Sequence, residues 1–447
     1  MPTRAIDQRV KKSVDLYNRA EQLIPGKTQL ISRRSRSYAD GVSPIYAKSA
    51  KGSRFVDVDG NEYIDWVNAV TAIILGHADD VVDNAVKEQI DRGSLYTLNS
   101  PMEIELAEVL CDIIPSCEMV RYTKGGGEAC AVAVRIARGT TGRDKIAFCG
   151  YHGWHDWYQA ANFLADPTTG QFPFAGIEPL GVPKALAGTA IPFAEGDIAG
   201  LEKIFKDNKG EIAAVMMEPM RSFRPKEGYL EKVKEIAHKN GALLIFDEVS
   251  SGWRISLGGA QEWLGVTPDM SVFAKAMSNG YPMGVVVGSR ESMQLADRMF
   301  ISSSYWSDNI GLAASVATIG ELKRRDSTEQ FKIIGEKARK ALEGAIASVG
   351  IKAKVTGLHI APTMDIEVPD PALKPKVNTL FIQEMARRGI FCPTQFKATL
   401  AHTDEDIRIT ADVAEQALKV VRRGLEGELD RLLEVEVKKE PFRRLVS

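Results

Sequence analysis

The chain has 447 residues, and 57 Lys and Arg stand against 59 Asp and Glu, for a formal net charge of −2. Hydrophobic residues make up 44% and charged residues 26%, a balance that predicts two domains, or a large domain with a smaller lobe, and gives no electrostatic reason to expect nucleic acid or an anionic membrane as partner. The opening residues contain no apolar signal core, no run approaches a bilayer span, and Cys111, Cys117, Cys130, Cys149 and Cys392 show no C-x-x-C spacing, so the expectation is a cytoplasmic protein with inert thiols.

In chain order, residues 1–75 read as a helix followed by irregular and hairpin-like structure, with two alternating runs around Asp59-Gly60. This segment is expected to pack with a small domain. From residue 76 the pattern becomes helix–strand alternation. Asp79 or Asp80 caps a helix with Val82, Val86 and Ile90 on one face, and Ile104, Ala107, Cys111 and Ile114 make the next stripe. Short apolar runs follow at 145–149, 213–217, 242–246 and 285–287. Such runs between helices predict a mostly parallel sheet buried on both faces, within a large α/β domain at 76–325. A helix at about 329–349 opens a smaller α+β domain, 326–447, with a strand at 359–367 and a charged final helix.

Four motifs in the large domain carry chemistry. Lys124-Gly125-Gly126-Gly127-Glu128 stands between a strand and a helix, where backbone N–H groups and the helix N-terminus favour an anion. A tight turn explains the glycines equally well. Ile245-Phe246-Asp247-Glu248-Val249 is an apolar strand ending in acids, at the end of an open sheet where ligands bind; a helix cap or solvated strand end is the ordinary alternative. Lys275 follows the apolar run 271–274, where burial would make its amine a nucleophile towards carbonyls. A lysine reaching out to water is the alternative. Tyr151 and His152 follow the strand 145–149, with Trp154, His155, Asp156 and Trp157. The tyrosine can stack on a planar ring and His152 can hold a hydrogen bond. No further ligand set completes a metal site, so none is expected.

Taken together, the set is specific. Pyridoxal phosphate requires anion donors for its phosphate, a stacking partner, a carboxylate to keep its ring nitrogen protonated, and a lysine for its aldehyde.

The residues also resemble the class III (subgroup II) aminotransferases, in particular the glutamate-1-semialdehyde 2,1-aminomutase-like branch. Matching stretches include Ile74-Leu-Gly-His77, Ala137-Arg-Gly-Thr-Thr-Gly-Arg143, Tyr151-His-Gly153, Met217-Glu-Pro219, Ile245-Phe-Asp-Glu-Val249, Gly258-Gly-Ala-Gln-Glu262 and the Lys275 segment. The resemblance implies the type I fold of pyridoxal-phosphate-dependent transferases and a homodimer with the active site at the subunit interface. It implies that Lys275 bonds the cofactor and moves a proton, that Asp247 pairs with the ring nitrogen, and that Tyr151 and Val249 cover the two ring faces. Gly125, Gly126 and Gly127 would surround the phosphate, Glu218 would support, and Ser304 of a neighbouring copy would touch the phosphate. The implied reaction moves an amino group between a donor and a small oxo compound; an intramolecular aminomutase, or a racemase or epimerase, is the alternative. Three departures stand out: Gly125-Gly126-Gly127-Glu128 replaces S-G-T-E, Ser304-Tyr-Trp-Ser-Asp-Asn309 replaces the usual interface motif, and Gly26–Arg36 departs from the aminomutase N-terminal pattern, placing arginines at 33, 34 and 36.

Overall fold

A computed structural model of the chain describes residues 6–164 and 178–438. The described residues fall into two compact units, one built from the segment up to Asp79 with the segment from Glu329 onward, the other from Asp80–Thr328.

In the first unit, Ala47–Lys51, Arg54–Asp57, Glu62–Asp65 and Ile390–Phe391 form a four-stranded sheet. The expected hairpin forms between its second and third strands. Asp57 fixes the turn by accepting from the N–H groups of Asp59 (3.0 Å) and Asn61 (2.8 Å), while Gly60 takes φ +94°. The expected strand 359–367 contracts to Thr363–Ile366, because 358–361 closes a turn that ends at Pro362. Asn68, Ala69, Val70 and Thr71 form a left-handed turn, with φ between 50° and 70°. No glycine announces this turn. Left-handed geometry costs L-residues about 1–2 kcal/mol each, and the Asp65 carboxylate offsets part of it by accepting from Val67 N (2.8 Å) and Asn68 N (3.0 Å). Ala69 and Val70 line a cavity of about 540 Å³ together with Tyr38, Tyr46, Arg33 and Phe391.

The second unit contains a seven-stranded sheet: β1 Met119–Thr123, β2 Lys145–Cys149, β3 Ala190–Pro192, β4 Ile212–Met217, β5 Leu243–Asp247, β6 Met270–Phe273 and β7 Gly284–Gly288, in the order β1-β7-β6-β5-β4-β2-β3. β2 through β6 pair in parallel, as the buried runs predict. β7 runs against both its neighbours. The segment joining β6 to β7 is too short for a parallel crossover, and it holds Lys275. Alternate strand residues feed two cores. Ile146 and Phe148 pack with Ala133 and Ile136 of helix α1, Gly126–Thr141, on one face. Ala147 and Cys149 pack with Leu201, Val233 and Ala237 on the other.

Two helical stripes differ from expectation. Val82 and Val86 are buried, but Ile90 faces solvent. In Pro101–Ile113 the buried residues are Leu106 and Leu110, whereas Ile104 and Cys111 point outward. These helices carry apolar residues on both sides.

The helix Asp404–Arg423 in the first unit begins with a reciprocal cap between Thr403 and Asp406. Asp406 also accepts from Ser53 Oγ (2.9 Å) and from Arg54 Nη2 (2.8 Å). Burial pushes this carboxyl up, but the Thr403, Ser53 and Arg54 donors outweigh it and leave the pKa below its ordinary value. Its stabilisation is therefore complete above the unfolded carboxyl range, near pH 4, and lost as pH falls through the folded value. Thr403→Ala is expected to cost about 1 kcal/mol in urea unfolding. Asp406→Asn is expected to flatten the acid-side fall of stability below about pH 4 relative to the parent.

Candidate active site

The carboxyl ends of the parallel strands gather nearly every residue singled out in the sequence. The glycine turn follows β1, Tyr151 and His152 follow β2, Glu218 follows β4, Asp247 ends β5, and Lys275 comes two residues after β6. This is the end of an open α/β sheet at which ligands bind.

Asp247 is the best-anchored member. Its Oδ2 takes a 2.8 Å bond from His152 Nδ1 and a 3.4 Å bond from Cys130 Sγ, and its Oδ1 accepts from Val249 N at 3.0 Å. All three side chains are buried. A charged carboxylate survives such burial only with donors of this kind. An ionised carboxylate has about four acceptor positions, so Oδ1 retains one for a further donor. The same thiol, imidazole and carboxylate lie within 4.8 Å of one another. Burial, and then the Asp247 charge, pushes the Cys130 thiol well above its ordinary value, and the trio is joined by hydrogen bonds to Asp247 Oδ2.

Glu248, the adjacent acid, does something different. It turns back into the protein and accepts from Ser251 Oγ (2.8 Å), Ala260 N (2.7 Å) and Gln261 N (2.9 Å). Burial raises its pKa despite those donors. It ties the end of β5 to the next helix.

Lys275 sits at φ 48°, an uncommon conformation for a residue with a side chain, in the one-turn helix Lys275–Ser278. Its Nζ donates to Ser250 Oγ at 2.9 Å. Ser250 is three residues beyond Asp247, so the amine is held beside the carboxylate's own loop. The Lys275 charge reaches Cys130, where it opposes the upward push on the thiol.

The glycines are explained by close approach. A Cβ at Gly126 would lie 2.8 Å from Val249 Cγ1, and one at Gly127 would lie 3.2 Å from the Gly153 Cα, whereas one at Gly125 would meet nothing within 4 Å. The turn after β2 therefore crosses the start of α1 at backbone distance. Gly125 supplies no side-chain cap, so the first N–H groups of α1 are left for another acceptor. Glu128 does not fill that place, since its Oε2 is engaged by Lys124 N at 2.7 Å.

Tyr151 is half-buried, with its N–H bonded to Glu218 Oε2 at 3.0 Å and its ring edge-on to Tyr158. Glu218 is also held by Arg221 Nε at 3.4 Å. Val249 packs over Gly126. Ser304 lies apart, exposed on the loop that precedes the helix Asn309–Arg324. Asp308 caps that helix and also pairs with Lys124, which ties the loop to the glycine turn. Of the three N-terminal arginines, Arg33 lines the cavity in the first unit and Arg36 pairs with Glu436 at 3.5 Å. Ser250 was not singled out in the sequence, Cys130 was read there only as an inert thiol, and Lys124 and Asp308 stood within the quoted motifs without a role of their own.

These residues fit pyridoxal phosphate. An uncapped helix start can take the phosphate, a buried carboxylate with one open acceptor position can take the ring N–H, and an amine stands nearby for the aldehyde.

Comparison with known proteins agrees. The family model for aminotransferase class-III matches residues 37–421. A 3-aminobutyryl-CoA aminotransferase from Cloacimonas acidaminovorans is 36% identical over 427 residues, covering 93% of this chain and 99% of that protein. A glutamate-1-semialdehyde 2,1-aminomutase from Ignicoccus hospitalis is 35% identical over 430 residues, covering 92% and 99%. Among solved structures, an omega-transaminase from Sphaerobacter thermophilus superimposes with a TM-score of 0.81 at 28% identity, over 92% of this chain and 98% of that one. The chain belongs to the class-III aminotransferases, enzymes of the pyridoxal-phosphate type I fold that transfer an amino group between an amino donor and an oxo compound.

Proposed function

We propose that the protein is an intermolecular aminotransferase whose reaction is run by Lys275 and Asp247. The observation that carries this reading is Asp247 itself, buried, held by His152, Cys130 and Val249 N, and left with one open acceptor position. When bound, the cofactor supplies an electron sink that acidifies the C–H beside the amine it carries. Asp247 would hold the proton on the ring nitrogen that this sink needs. Lys275 Nζ would hold the cofactor by its aldehyde end and, when free of it, would take the proton from the donor's α-carbon. Ser250 accepts a hydrogen bond from that amine and so steers it. Gly125, Gly126 and Gly127 present backbone N–H groups to the phosphate, with the charge of Lys124 behind them. Tyr151 and Val249 close the two ring faces, and Glu218 holds the Tyr151 backbone in place.

The functional form in this reading is a homodimer. Leu98 (82% exposed), Ile104 (65%), Phe300 (88%) and Tyr305 (67%) present large apolar surface to solvent. Ile104 shares the lining of a 600 Å³ groove with Ser302, Ser303 and Trp306. Burying this surface against a second copy is favourable at roughly 25 cal/mol per Å². It would bring Ser304 to the partner's phosphate and supply a hydroxyl that the triple glycine lacks.

Lys275→Ala is expected to abolish the near-visible absorbance of a lysine-bound cofactor and to cut turnover by more than about a thousandfold; a variant keeping both would overturn the assignment. Asp247→Asn is expected to lower kcat by about a hundredfold or more while leaving the fold intact. A donor screen should include β-amino acyl thioesters, the chemistry named for the 36%-identical relative. Conversion requiring a separate oxo acceptor supports the transferase, whereas conversion of glutamate 1-semialdehyde without one supports the aminomutase. Phe300→Asp with Ile104→Asp is expected to shift the sedimentation coefficient from dimer to monomer and to weaken cofactor retention.

A further inference from the structure

We propose that Cys130 is a positioning residue for the reaction, a thiol donor on the second turn of α1 that fixes the Asp247 carboxylate for the ring nitrogen. The inference rests on the reading of Asp247 given above.

Three features of the geometry carry it. Cys130 is fully buried on the helix whose first turn forms the glycine seat, and its Sγ lies 3.4 Å from Asp247 Oδ2. The same oxygen takes the His152 Nδ1 bond at 2.8 Å. Oδ2 is therefore saturated by two side-chain donors arriving from α1 and from the turn after β2. That fixes the carboxylate's rotation and directs the open position of Oδ1 outward. Without Cys130, Oδ2 would keep only the His152 bond and an open second position, while Val249 N–H holds the other oxygen.

The second consequence concerns charge. The thiol stays protonated beside the carboxylate, because burial and then the Asp247 charge push it well above its ordinary value. It can only donate to that oxygen. As a weak donor it orients the carboxylate while withdrawing less charge than a hydroxyl or amide would. The negative charge needed to hold a pyridinium proton is largely preserved. Cys130 also joins the phosphate-bearing helix to the nitrogen-bearing strand, so both ends of the ring are referred to one rigid element.

The test uses full-length protein loaded with ¹⁵N-ring-labelled pyridoxal phosphate. Cys130→Val fills nearly the same volume but has no proton to give; Cys130→Ala removes the sulfur; Cys130→Ser keeps a donor. In Cys130→Val and Cys130→Ala the ring-nitrogen resonance is expected to move downfield, towards the deprotonated position. The cofactor dissociation constant should rise about three- to tenfold. Cys130→Ser, which keeps a donor, should hold the dissociation constant near the parent's and move the resonance less than Cys130→Val does. Cys392→Ala, at another fully buried thiol, should lose stability without moving the resonance. An unmoved resonance in both Cys130→Val and Cys130→Ala, beside a moved one in Asp247→Asn, overturns the role of Cys130 alone. An unmoved resonance in Asp247→Asn overturns the reading of Asp247 on which it rests.

Discussion

The Asp247 carboxylate constrains most of what surrounds it. At the end of a central parallel strand it is cut off from water, and donors from the protein must replace the hydration it has lost. Those donors come from separate elements: a helix (Cys130), the turn after β2 (His152) and the backbone two residues on (Val249). Each element must then be placed to within a hydrogen bond. The turn after β2 reaches that position by crossing the first turn of α1, which is why Gly127 and Gly153 touch through their backbones. The glycines that read as a phosphate seat are thus also the clearance that lets His152 reach the acid.

The two neighbouring acids show how strictly position decides role. Asp247 and Glu248 differ by one methylene and one step along the chain. The strand's alternation sends Asp247 to the face of α1 and Glu248 back into the following helix and turn, where four groups from 248–261 are tied together. Burial raises the pKa of Glu248, so it serves as an internal brace. That brace holds the loop carrying Val249 and Ser250, and through Ser250 it sets where the Lys275 amine rests.

Much of the frame was legible in the sequence because strand ends carry chemistry of recognisable type. An acid after Ile-Phe, a lysine after Val-Phe-Ala and three glycines before a helix each had an ordinary explanation, and only their order made them a set. The parallel strands were legible for the same reason that β7 was not: apolar runs report burial, not direction. What could not be read were contacts between distant residues. Cys130 and Asp247 stand 117 residues apart, and nothing near Cys130 marks it off from a core thiol. The left-handed turn at Asn68–Thr71 was invisible because no glycine signals it; it depends on the Asp65 carboxylate and on an Asn68 bond to the Lys397 carbonyl, far along the chain.

The misread helices are informative in another way. Periodicity assigned Ile90, Ile104 and Cys111 to buried stripes, yet each faces outward while Val82, Leu106 and Leu110 fill the core. A helix with apolar residues on both sides can bury both only against two partners, and among the described residues only one of these sides is covered. The exposed side continues into the groove beside Ser302 and Ser303, on the loop that Asp308 ties to Lys124 and so to the glycine turn. In the proposed reading, the phosphate seat relies on backbone N–H groups, without the two hydroxyls of the related S-G-T sequence. The exposed apolar surface is joined through Asp308 and Lys124 to the glycine turn, so in the proposed homodimer one contact would cover the surface and bring a hydroxyl to the seat.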